Sequence, residues 1–110
     1  MEKPMAQFVL VYLGGDYPSN KEESTQHMMN YQKWLSNLGE KAIEPANPFK
    51  NTRSIAPNRN VTEGSQIGMS GYTIIEANSI GEAEEIARNC PFLDINGTIE
   101  VSEKLPMPSF

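Results

Sequence analysis

The distribution of hydrophobic and polar positions along the chain predicts three clear strands. Residues 6–13 form an apolar run that is too short for a core helix and predicts a buried strand. Residues 69–77 predict a second strand, in which Tyr72 and Thr73 lie on opposite faces of the sheet. Residues 98–103 alternate between polar and apolar side chains, which indicates a last, half-buried strand.

A helical stripe predicts a first helix over residues 21–38. Its apolar positions are Met28, Tyr31, Leu35 and Leu38. Asn20 and Ser24 are alternative N-caps for this helix, and Gly39 is placed to end it in a left-handed conformation.

A second helix and a hairpin complete the predicted elements. Ser79, with Glu82 three residues later, forms a capping-box pattern at the start of the second helix, and Pro91 closes its apolar stripe. Residues 41–46 are a short extended run that follows the first helix. The turn-forming segment 57–59 then predicts a hairpin between residues 52–56 and 60–63.

The order of these elements predicts an α+β domain of the ferredoxin-like βαββαβ type, with one extra hairpin. In this fold two helices cover one face of a four-stranded antiparallel sheet. The uncovered face would expose apolar side chains from residues 6–13 and 69–77, which form a larger patch than a monomer tolerates. We therefore expect a homodimer that joins two such faces and leaves a small cleft in each protomer.

Composition limits the domain count and the partners. The 110 residues fit one domain, with a core over about 6–103 and a proline-rich tail over 104–110. The net charge is −5 and the cations are scattered, which argues against nucleic acid and against an anionic membrane surface as partners. Because no stretch approaches 18 apolar residues, we expect no transmembrane helix.

The single cysteine and the single histidine limit the chemistry further. Cys90 alone excludes an internal disulfide, and with one histidine a Cys and His zinc site within a protomer is excluded as well. The sequence therefore predicts a cytoplasmic domain that uses no metal and no cofactor.

Four segments of the C-terminal half form a distinctive series: Ser70–Ala77, Ser79–Ala83, Ala87–Pro91 and Gly97–Val101. They contain a Gly-Tyr strand, a Ser-x-x-Glu-Ala helix start, a Cys-Pro helix stop and a Glu-Val terminal strand. Together they resemble the YCII-related family, also called the DGPF-domain family, and the resemblance extends over about residues 6–103. It implies a dimeric α/β barrel built from ferredoxin-like protomers.

The chain departs from that family at its signature. The family has Thr-Asp-Gly-Pro-Phe before the Gly-Tyr strand, whereas residues 61–68 place Glu63 where the aspartate would be and lack the Pro-Phe. The family's proposed active-site pair is this aspartate and a histidine of the first helix, which implies His27 and Glu63 here. His27 would then transfer protons, and Glu63 would orient its ring.

Three further side chains are candidates for binding a ligand. Tyr12 and Tyr72 lie on the two strongest strands and would supply phenol donors, or else would pack at an interface between sheets. Arg53 would hold a carboxylate or phosphate, or else would be solvated. His27 and Glu63 have similar alternatives, as a solvated boundary histidine and an ordinary turn acid.

Two functions stay open at this point. One is an enzyme that performs proton transfer or hydrolysis on a small organic acid or related metabolite. The other is a non-catalytic ligand-binding or accessory module. A cofactor-free monooxygenase is a third alternative, which rests on fold analogy alone. A cleft with His27 in hydrogen-bond reach of an acid would favour chemistry, whereas an open apolar groove would favour binding.

Overall fold

The structure, a computed structural model, describes residues 5–105. Its strands are β1 (Ala6–Gly14), β2 (Ala42–Pro48), β3 (Arg53–Ile55), β4 (Val61–Glu63), β5 (Met69–Ala77) and β6 (Gly97–Glu103). Its helices are α1 (Lys21–Leu38) and α2 (Ile80–Arg88), and short 3-10 turns cover Gly39–Lys41 and Pro91–Ile95. Of the predicted tail over 104–110, residues 106–110 lie outside the described part of the chain.

Helix α1 has the bounds that its apolar stripe predicts. Asn20 is its N-cap, because the Asn20 side chain accepts a hydrogen bond from the backbone N–H of Glu23 at 2.8 Å. Ser24, the alternative cap, lies within the helix. Gly39 ends α1 with a φ of 56°, a conformation that costs glycine little because it has no Cβ.

Helix α2 begins at the predicted cap and is tied to the segment after α1. The Ser79 hydroxyl accepts from the backbone N–H of Glu82 at 3.1 Å. The Glu82 carboxylate accepts from Lys41 Nζ at 3.1 Å, and this contact holds the pKa of Glu82 below its ordinary value. Pro91 ends the apolar stripe of α2 and also begins the second 3-10 turn, an element that the sequence pattern does not predict.

The four long strands form one antiparallel sheet in the order β2-β5-β1-β6. Strands β3 and β4 form a separate two-stranded hairpin. This α+β arrangement is consistent with a ferredoxin-like fold and confirms the predicted antiparallel sheet with an extra hairpin. Within residues 5–105, no helix combines the length and the apolar character needed to cross a membrane.

The core lies between the sheet and the two helices. It is built from buried residues of both central strands, both helices and the segment after α2: Phe8, Leu10, Tyr12, Ile75, Ala77, Trp34, Ala83, Ala87 and Cys90. The Trp34 indole N–H donates to the backbone oxygen of Ile86 at 3.1 Å, so it links α1 to α2 while its ring is buried. Both helices therefore cover the same face of the sheet.

The opposite face of the sheet carries the apolar residues that the sequence predicts. Val9 pairs with Ile74 and Val11 pairs with Tyr72 across β1 and β5, and these four side chains share that face. Strand β6 contributes polar side chains to the same face, such as Glu100, which pairs with Val11. We call this surface the open sheet face.

Candidate functional site

A cleft of about 350 Å³ lies between the middle of α1 and the sheet edge where β2 meets β5. We call it the helix–edge cleft. Its apolar walls are formed by Met28 and Leu35 of α1, Pro48 of β2 and Phe92 of the second 3-10 turn. Among the described residues, the side chains that line it include no Asp, Glu, Lys or Arg. A charged ligand would lose its water there without gaining an opposite charge, which is unfavourable.

Gly71 of β5 shapes the floor of the cleft. It pairs with Pro48 of β2, and a Cβ placed on it would lie 2.8 Å from the backbone oxygen of Asn47. Such a contact is strongly repulsive, so any side chain at this position would push β2 away from β5. The missing side chain thus keeps the edge strand close to the sheet.

Three hydroxyl groups meet beneath the cleft. Tyr12 Oη lies 2.6 Å from Thr73 Oγ1 and 2.7 Å from Tyr31 Oη, whereas Tyr31 Oη and Thr73 Oγ1 are 3.1 Å apart. Thr73 in turn donates to the backbone oxygen of Pro45 at 2.7 Å. We call Tyr31, Tyr12 and Thr73 the hydroxyl chain. It connects the first strand, the first helix and both strands at the sheet edge.

A β-bulge in the edge strand brings the Pro45 carbonyl to this chain. Pro45 and Ala46 both lie opposite Thr73, so two residues of β2 face one residue of β5. Proline has no N–H to give to the ladder, which makes such an irregular position suitable for it. At this point the Pro45 carbonyl accepts the hydroxyl of Thr73.

The protons of the hydroxyl chain can be assigned from its geometry. Each hydroxyl has one proton, and because Thr73 uses its proton on Pro45, Thr73 can only accept from the tyrosines. If both tyrosines donated to Thr73, their oxygens would face each other at 2.7 Å with no proton between them. If Tyr12 donated to Tyr31, the 2.6 Å contact with Thr73 would lack a proton. The order is therefore Tyr31 to Tyr12, Tyr12 to Thr73, and Thr73 to Pro45.

Burial raises the pKa of the acidic groups around this chain, which are protonated at neutral pH in any case. Desolvation raises the pKa of the Tyr12 and Tyr31 phenols above their ordinary value. It also raises the pKa of the buried Cys90 thiol to about 11. Neither phenol is a base at neutral pH, and the thiol is not a nucleophile.

His27 lies on α1 at the rim of the cleft. It is half-buried, and its ring centroid is 6.4 Å from that of Tyr31. It also borders a second depression of about 740 Å³, which is lined by Asp16, Glu23 and Asp94 among others. Hydrogen bonds from Ser19 occupy the Glu23 carboxylate and lower its pKa. Among residues 5–105 the ion pairs that form do not involve His27.

Glu63 and Arg53 lie on the hairpin and bind each other. They are cross-strand partners, and Arg53 Nη1 lies 2.8 Å from Glu63 Oε1. Both side chains are largely exposed. The hairpin therefore pairs Glu63 with Arg53, and neither of them lines the helix–edge cleft.

The two predicted tyrosines lie on opposite faces of the sheet. Tyr12 faces the helices and is buried, whereas Tyr72 lies on the open sheet face, with its ring centroid 5.7 Å from that of Phe49. Of the five predicted site residues, the cleft brings together His27 and Tyr12.

The sequence pattern does not mark two residues of the site, Tyr31 and Thr73, as functional groups. Tyr31 belongs to the helical stripe as an apolar position, yet a phenol that packs in a core usually needs a partner for its hydroxyl. Thr73 shares a strand face with Ile75, and a hydroxyl at a buried position indicates a hydrogen bond. The sequence therefore indicates that these two hydroxyls need hydrogen-bond partners, but it does not identify the partners.

The described part of the chain offers no cluster of three or more His, Cys, Asp or Glu side chains suited to hold a metal ion. No protein-family model and no curated protein matches this sequence.

Proposed function

We propose that the domain binds a small, uncharged and mainly apolar molecule in the helix–edge cleft, without transforming it. This proposal rests on the lining of the cleft. Its walls are apolar side chains, and its described lining has no carboxylate, ammonium or guanidinium group. Ligand sites commonly combine such walls with a few polar groups that fix orientation. The hydroxyl chain supplies polar groups of this kind.

The placement of His27 supports binding over catalysis. General acid–base catalysis is supported by a partner that orients the imidazole, and Glu63, the expected partner, is held by Arg53 in the hairpin. The phenols beneath the cleft are neutral at pH 7, and burial raises their pKa further. An open groove without a paired histidine matches the criterion for a binding module.

A charge-insertion pair tests the binding proposal. Met28 lines the cleft and is 53% exposed, whereas its neighbour Met29 is 58% exposed and lies outside the lining. Met28→Lys should weaken the binding of indole, an uncharged planar probe, at least severalfold, and Met29→Lys should leave it unchanged. Binding is measured by NMR titration of the labelled protein. If indole shifts no cleft resonance, or if both variants behave alike, the proposal fails.

Catalysis at His27 is the second candidate, since this side chain lines both the cleft and the acidic depression. Under this alternative the domain would perform proton transfer or hydrolysis on a small metabolite. Screening of metabolite mixtures for turnover by the wild-type domain, with His27→Ala as the comparison, tests it. An activity that is lost in the variant would replace the binding proposal.

We also propose that two copies pair through the open sheet face, as in a dimeric α/β barrel. Val9, Val11 and Tyr72 are half-buried on this face beside Ile74, which is buried within the single chain, so the apolar area left to pair with a second copy is smaller than the sequence predicts. The ferredoxin-like order supports the proposed membership in the YCII-related family, and the free Cys90 thiol fits the proposed cytoplasmic location.

Analytical ultracentrifugation at micromolar concentration tests the dimer. The wild-type chain should sediment at twice its own mass. Val11→Lys, at the centre of the open sheet face, should shift it to a single chain, and Ser36→Lys on the exposed side of α1 should not. A wild-type chain that sediments only as a monomer would refute the dimer.

A further inference from the structure

The inner wall of the helix–edge cleft contains the phenolic oxygen of Tyr31, whose proton is donated to Tyr12. Tyr31 lines the cleft and donates to Tyr12, which donates to Thr73, which donates to the Pro45 carbonyl. The chain ends at a backbone carbonyl, which can only accept. Its direction is therefore fixed at the inner end, and Tyr31 Oη keeps only lone pairs for a ligand.

Two other polar side chains of the lining also direct donors into the protein. The Ser70 hydroxyl donates to the backbone oxygen of Tyr12 at 3.3 Å. The Asn47 amide directs an N–H at the backbone oxygen of Tyr72, at 3.4 Å. The Ser70 hydroxyl and this Asn47 N–H are therefore turned away from a ligand in the cleft.

We propose that the helix–edge cleft selects an uncharged ligand with a hydrogen-bond donor, an N–H or O–H group, which donates to Tyr31 Oη. A ligand that offers only an acceptor at this point would place two oxygen lone pairs against each other. Selection follows because a buried polar group left without a partner costs more than the bond itself contributes. This inference rests on the proposed binding function and specifies its ligand class.

Indole and benzofuran test the inference, because they have nearly the same shape while one carries an N–H and the other an ether oxygen. We expect the wild-type domain to bind indole about 3- to 10-fold more tightly than benzofuran. Tyr31→Phe removes the acceptor and keeps the ring, so the ratio of the two dissociation constants should fall towards 1. Using the ratio cancels any general loss of affinity in a variant.

Thr73→Val provides a sharper test, because it removes the group that fixes the direction of the chain. Tyr31 Oη is then the only oxygen among the described partners of Tyr12 that can accept its proton, and it accepts more strongly than the nearby Cys90 sulfur, so the Tyr31 proton turns towards the cleft. The preference should move from indole towards benzofuran, while Thr73→Ser should retain the wild-type ratio. Thr73 is fully buried, so Tyr31→Phe carries the test if the valine variant does not fold.

Three outcomes separate this inference from the proposed function. Equal binding of both probes, or a ratio unchanged by Tyr31→Phe, overturns the donor selection and leaves binding in the cleft intact. Loss of the preference in His27→Ala but not in Tyr31→Phe assigns the acceptor to the imidazole and also overturns it. If neither probe shifts a cleft resonance, the proposed function itself is wrong.

Discussion

The helix–edge cleft and the β3–β4 hairpin both contain residues that the sequence marks as functional, yet different forces hold their side chains. In the cleft, Tyr12 is 6% exposed and its hydroxyl has two short contacts inside the core. In the hairpin, the side chains of Arg53 and Glu63 are 55% and 88% exposed. A buried polar group is positioned by everything packed around it, whereas an exposed one is positioned by its nearest opposite charge. A short distance between two side chains is therefore not enough to identify a functional site.

Substituting one isoleucine in each region should show the largest difference between them, measured as the loss in free energy of unfolding. Ile75 of β5 is fully buried beside the hydroxyl chain, whereas Ile55 of the hairpin is 69% exposed. Ile75→Ala should lower the free energy of unfolding by about 2–5 kcal/mol, because it removes buried methyl groups and leaves a cavity. Ile55→Ala should change it by less than about 0.5 kcal/mol. Urea denaturation measures both, and equal effects would show that the hairpin is packed against something in solution.

Matched glycines should show a smaller difference that is specific to the cleft. Gly71→Ala places a methyl group 2.8 Å from the Asn47 backbone oxygen and should cost about 1–3 kcal/mol of stability. It should also perturb NMR resonances of β2. Gly81→Ala in α2 meets Ser79 Oγ at 3.7 Å, an ordinary contact, and should stabilise the domain by up to about 1 kcal/mol. A neutral Gly71→Ala would mean that β2 is free to move.

The core beneath the cleft should also respond to alkaline pH. Burial raises the pKa of the Cys90 thiol from 9.0 to about 11, so the folded state keeps its proton longer than the unfolded state does. This contribution is complete well below pH 9 and is lost between pH 9 and 11, most steeply near pH 10, at about 1 kcal/mol per pH unit. The raised pKa values of the two tyrosines act in the same direction.

Melting temperatures between pH 7 and 11 measure this loss. Cys90→Ala removes the thiol and should flatten the decline above pH 9, even if the variant is less stable at neutral pH. A decline identical to that of the wild-type domain would show that the thiol titrates normally. It would then lie closer to water than its burial indicates.

The helix and the strands around the cleft could largely be predicted from local sequence patterns. The apolar stripe and its caps define α1 because helical periodicity and the Asn20 cap act within a few residues. The alternation of residues 69–77 likewise places Thr73 on the covered face of β5. Such patterns suffice where each residue's environment is decided by its near neighbours.

The hydroxyl chain could not be predicted, because it joins positions far apart along the chain. Tyr12 and Tyr31 are 19 residues apart, and Tyr12 and Thr73 are 61 apart. Their contact depends on how α1 packs on the sheet and on the bulge at Pro45, and neither has a local signature. The Arg53–Glu63 contact is easier to predict from the sequence, because the register of the expected hairpin places these two residues opposite each other.

The smallest expected effect is that of removing the Arg53–Glu63 ion pair on stability and on binding in the cleft. Arg53→Ala and Glu63→Ala should each change the free energy of unfolding by about 0–1 kcal/mol, because an exposed pair gains little in water. A double-mutant cycle in low and high salt should give a small coupling that salt weakens further. Neither substitution should alter indole binding by more than about twofold, because neither side chain lines the cleft. A large loss of binding in Glu63→Ala alone would instead place this carboxylate at the cleft in solution, next to His27. The distinction between the two regions would then collapse, and catalysis by a histidine–carboxylate pair would become the better account of the site.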